Sequence, residues 1–80
     1  MRRKYTFEEE LEGLIYQAFD GSPAGPRLAE SLRLAARTAC MRHGLGRARI
    51  VIKRAGNGMI VEIHPPPDKP RVQKIVVNVG

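Results

Sequence analysis

The apolar residues of this chain change period once, and that change limits what the chain can become. Up to His43 they recur at three- and four-residue intervals, and from Arg47 they alternate, with Gly44-Leu45-Gly46 between the two regimes. The first spacing lines one face of a helix and the second lines one face of a strand. At 80 residues the chain supports one hydrophobic core, which excludes a two-domain enzyme. No repeat of fixed period and no long Gly/Ser or Pro-rich linker divides it, so residues 1–80 read as one domain. The expected fold class is α+β and two-layered. Two N-terminal helices pack on one face of a three-stranded antiparallel sheet, in the order ααβββ.

The first helix is expected over residues 7–20, with Phe7, Leu11, Leu14, Ile15 and Ala18 on one face. Thr6 and Glu9 have the spacing of a capping box, and Glu8, Glu9 and Glu10 lie where the helix dipole favours negative charge. Gly21-Ser22-Pro23-Ala24-Gly25-Pro26 cannot continue a helix and is read as a turn. A second helix is expected over residues 26–43, with Leu28, Leu32, Ala35, Ala36, Ala39 and His43 along its inner side and Gly44 as its stop. Leu34 and Met41, seven residues apart, project away from that side beside Arg33 and Arg37. They form a candidate protein interface.

Strands are expected over residues 47–55, 59–64 and 71–79. In the first, Ala48, Ile50 and Ile52 face the core, while Arg47, Arg49, Val51 and Lys53 face away. Asn57-Gly58 suits a two-residue type I′ turn, which would pair Ile52 with Ile63, Lys53 with Glu62 and Val51 with His64. Pro65-Pro66-Pro67-Asp68-Lys69-Pro70 reads as a stiff, extended connection. In the last strand Ile75, Val77 and Val79 point inward, leaving Val72, Lys74, Val76 and Asn78 outside. Its free edge is expected to be able to accept a strand from a partner or a second copy.

Charge is distributed unevenly. Fourteen Lys and Arg against eight Asp and Glu give +6 overall, yet residues 7–20 carry −5 and residues 27–54 carry +7. With 42% hydrophobic and 28% charged residues the composition is that of an ordinary globular domain, which argues against intrinsic disorder. No apolar run approaches the roughly 20 residues that span a bilayer, and Met1-Arg2-Arg3-Lys4 leads into glutamates where a signal peptide would have an apolar core. A soluble, cytoplasmic protein without a membrane partner is expected.

Catalytic and cofactor chemistry find little support. Cys40, His43 and His64 supply three candidate metal ligands where structural zinc takes four, so no metal is expected. Cys40 reads as a small buried hydrophobe, and its spacing to His43 does not orient a nucleophile toward a base. His43-Gly44-Leu45-Gly46-Arg47 lacks the Lys-Ser/Thr of a phosphate loop and reads as a helix-to-strand turn, with no cofactor implied.

The outward strand positions are the functional lead. Arg47, Arg49, Lys53 and Lys74 make a basic sheet face, with Glu62 and His64 modifying it and Arg33 and Arg37 joining if the helix edge extends it. Such a face suits a polyanion, nucleic acid above all, or an acidic protein. The absence of Trp, and two Phe placed in helix one, point to backbone contacts without sequence specificity. The expectation is a non-enzymatic binding module. The alternative is a small structural or adaptor subunit, self-associating or docking through its bipolar charge, Leu34, Met41 and the free strand edge.

Overall fold

The computed structural model describes residues 5–21, 26–69 and 71–80. Two helices, α1 (Phe7–Gly21) and α2 (Pro26–Arg42), precede three strands, β1 (Arg49–Ala55), β2 (Gly58–His64) and β3 (Ile75–Val79). The strands form an antiparallel meander in the order β1-β2-β3, which gives the expected ααβββ arrangement. On one sheet face α2 lies over β1 and β2, and α1 lies over β3. Residues 22–25 of the interhelical turn, the N-terminal basic run 1–4 and Pro70 lie outside the described residues.

The capping box forms as its spacing demands. The Glu9 amide donates to Thr6 Oγ1 at 3.2 Å, and the Thr6 amide donates to Glu9 Oε1 at 3.0 Å. Leu11 and Ile15 of α1 are fully buried against Leu32, Ala36 and Ala39 of α2, and the two alanines allow close helix approach. At the end of α2, Gly44 adopts φ 72°, the Leu45 amide donates to Cys40 O at 2.6 Å and the Gly44 amide donates to Met41 O at 3.5 Å. This Schellman closure buries Leu45 and turns the chain from α2 into β1. Ala48 and Ile50, Val61 and Ile63, and Val77 and Val79 form the core side of the sheet.

The hairpin differs from expectation by two residues. Ala55 pairs with Gly58, so the turn residues are Gly56-Asn57, and Ile50 pairs with Ile63, Val51 with Glu62 and Ile52 with Val61. Gly56 has φ 57° while Asn57 does not have positive φ, the pattern of a type II′ turn in place of type I′. The physical reason lies at Gly58, where a Cβ would collide with the Val79 carbonyl of β3. Gly58 is therefore needed inside the strand, and Gly56 supplies the left-handed turn residue. A slip of two residues preserves which side chains face the core, since the strand period is two.

The connection before β3 is also corrected. The Lys69 amide donates to Pro66 O at 3.0 Å and the Val72 amide donates to Lys69 O at 3.2 Å, so this segment turns on itself instead of running extended. The turns bring Val72 against the core, whereas alternation from residue 71 places it on the outer face. β3 then begins at Ile75, and β1 begins at Arg49, two residues later than expected.

Candidate polyanion-binding surface

The sheet face turned away from the helices is organised around one carboxylate. Cross-strand pairing sets Arg49 beside His64, Val51 beside Glu62 and Val76, and Lys53 beside Ile60 and Asn78. Glu62 is only 8% exposed although no helix covers this face. Its Oε1 lies 3.0 Å from His64 Nε2 and 3.7 Å from Lys74 Nζ, and its Oε2 lies 3.4 Å from Lys53 Nζ. The hydrogen bond with His64 holds the Glu62 carboxyl below the usual carboxylate range, Lys53 and Lys74 reinforce it, and burial opposes it. Lys53 and Lys74 therefore share one carboxylate, which offsets one of their two charges. The expected Lys53 to Glu62 pair forms, but diagonally, because the register has moved.

Arg33 and Arg37 do not join this face. They reach from α2 to the outer edge of β1 and the turn before it, where Arg33 Nη1 donates to Ile50 O at 3.3 Å and Arg37 Nη1 donates to Gly46 O at 2.8 Å and Ala48 O at 3.3 Å. Carbonyls on an edge strand have no ladder partner, and the two guanidinium groups supply one. At the opposite edge, Tyr16 Oη donates to Asn78 O at 3.0 Å, so α1 covers part of the β3 edge as well. Leu34 and Met41 stand 68% and 67% exposed on the outer side of α2.

A second group of cations gathers at the end of the sheet where the α2–β1 turn meets the β2–β3 connection. Arg47 Nη1 is 3.7 Å from Asp68 Oδ2, a loose pair because the arginine side chain is 82% exposed. Among the described residues, Arg49, Lys69 and Arg71 form no ion pair. Arg47, Arg49, His64 and Pro65–Pro67 line a shallow groove of about 370 Å³. Lys69, Arg71 and Lys74 line a larger neighbouring groove of about 460 Å³, together with Phe7, His43 and Val72. The Phe7 and His43 rings are 5.5 Å apart and tilted by 58°. Glu10 anchors the imidazole from below, with Oε2 3.4 Å from His43 Nε2 and Oε1 accepting from Arg42 Nη1 at 3.0 Å. The hydrogen bond from Arg42 keeps the Glu10 carboxyl below its ordinary value, with a smaller contribution from His43.

Of the expected site residues, Arg47 and Arg49 are thus at the basic end, Lys53 and Lys74 are tied to Glu62, and Arg33 and Arg37 are tied to the β1 edge. Lys69 and Arg71 are additions that sequence reasoning missed. The cluster of three cations within residues 69–74 is a usable signal, obscured when the segment is read as an extended spacer. Cys40 is fully buried, and burial raises its thiol pKa, which keeps it protonated. Among the described residues, no group of three or more His, Cys, Asp or Glu is placed to hold a metal ion, and no helix is long and apolar enough to cross a membrane. No known family, curated protein or solved structure matches this chain.

Proposed function

We propose that this protein is a non-enzymatic binding module whose basic end contacts a nucleic-acid backbone without reading its sequence. The supporting observation is that Arg49, Lys69 and Arg71 have no ion-pair partner among the described residues and Arg47 has only an exposed one, with Arg47 and Arg49 lining one groove and Lys69 and Arg71 another. Arg47, in the turn before β1, and Arg49, at the start of β1, are both exposed and line one groove, a pairing suited to neighbouring phosphates. Arg47→Glu with Arg49→Glu should lower the affinity for labelled DNA or RNA at least tenfold in fluorescence anisotropy at 50 mM salt, with circular dichroism unchanged. Unaltered binding by a folded double variant would remove the proposal.

A second reading, an assembly subunit, draws on the exposure of Leu34 and Met41 on one face of α2. Under it, the protein self-associates, and Leu34→Glu or Met41→Glu lowers the mass seen by light scattering without changing the fold. A monomeric parent protein at high concentration would remove that reading.

A further inference from the structure

The larger groove at the basic end has a lining that backbone binding alone does not require. Its cations are Lys69, Arg71 and the Glu62-bound Lys74, but the Phe7 and His43 rings and aliphatic carbon from Val72 also line it. Phe7 is only partly buried, and the His43 side chain is 25% exposed, so both rings retain surface toward the groove. Its volume of about 460 Å³ lies within the range of roughly 300–1,000 Å³ typical of sites that hold small organic ligands. We infer that this groove holds one unstacked nucleotide of a single strand, the base against the Phe7 ring and the flanking phosphates on Lys69 and Arg71.

This inference rests on the nucleic-acid reading above and adds to it a preference for single strands. A duplex keeps its bases stacked inside and presents only phosphates and groove edges, whereas a single strand can splay a base into a recess. Aromatic rings and unpaired cations lining one groove match the two parts of a nucleotide, and base stacking is tolerant of sequence because every base has a π face. Glu8 also lines the groove and opposes the phosphates, so it sets a limit on affinity. Helical spacing assigns both Phe residues to the helix packing, which hides Phe7 as a stacking surface.

The test compares labelled oligonucleotides of equal length on the unmodified protein: a single strand, the same strand with its bases replaced by abasic sites, and a duplex. The abasic strand keeps the phosphates and removes the stacking, so its affinity should fall by about fivefold to a hundredfold, the range found when a base loses an aromatic partner. Phe7→Leu, which keeps the apolar packing, should reduce single-strand affinity and leave duplex affinity unchanged, while Glu8→Gln should raise single-strand affinity. Equal affinity for the abasic and ordinary strands would overturn the inference and leave backbone binding standing. Displacement of the single strand by polyglutamate as readily as by unlabelled strand would also overturn it. Failure of every oligonucleotide to bind at 50 mM salt would overturn both readings.

Discussion

Two groups of arginines and lysines in this molecule stand under different obligations. Five of those along α2 and the sheet complete the fold: Arg33 satisfies an edge carbonyl of β1, Arg37 satisfies carbonyls of the α2–β1 turn, Arg42 binds Glu10, and Lys53 and Lys74 bind Glu62. At the basic end, Arg49, Lys69 and Arg71 have no such partner among the described residues, and Arg47 has only one that solvent screens, both side chains being exposed. The difference teaches that formal charge overstates available charge. A net +6 describes the chain, but what a polyanion would meet depends on which cations the fold has already engaged.

The comparison breaks most visibly if an engaged arginine is removed. Arg37→Ala leaves Gly46 O and Ala48 O without their side-chain donor, and charged hydrogen bonds to carbonyls contribute about 1.5–3 kcal/mol when shielded. Arg37 is partly exposed, so a loss of about 1–2 kcal/mol in urea unfolding is expected, or about 5 °C or more in Tm for a domain this size. Arg71→Ala should leave Tm within about 2 °C, as surface changes away from special interactions generally do. If the two variants unfold alike, the division between engaged and available cations fails.

A smaller effect sharpens the same division through pH. The folded Glu62 carboxyl has a pKa below its ordinary value, so it binds its proton less readily in the folded chain than in the unfolded one. Its contribution to stability is present above the unfolded pKa of about 4.3 and is lost as pH falls through the folded value. Glu62→Gln should therefore flatten the acid limb of a stability-versus-pH curve below about pH 5. It should also release Lys53 and Lys74 and modestly raise affinity for a polyanion at neutral pH. An unchanged acid limb would mean that the carboxylate is not held as the geometry indicates.

The fold was largely legible because hydrophobic period is a local property. Leu11, Ile15, Leu32 and Ala36 take the helix faces their spacing assigns, and Ile50, Ile63, Val77 and Val79 take the inner strand positions. The turn was less legible, since Gly56-Asn57-Gly58 offers a glycine on either side of Asn57 and the choice is made by β3, whose backbone crowds Gly58. Val72 is misplaced when alternation is extended through a segment that turns. The site was only partly legible: Arg47 and Arg49 are exposed as strand alternation implies, but the roles of Arg33 and Arg37 depend on carbonyls 9 to 17 residues away. Spacing within α2 carries no information about that edge.

The most direct measurement is the slope of log affinity against log salt concentration for a labelled duplex, taken for the parent protein, for Arg49→Gln with Arg71→Gln, and for Lys53→Gln. Removing a cation that neutralises one phosphate should reduce the magnitude of the slope by roughly 0.9. The slope should fall by about 1.8 for the basic-end pair and change little for Lys53→Gln, because that lysine is already held by Glu62. Equal reductions per residue removed, or a slope untouched by the basic-end pair, would contradict it.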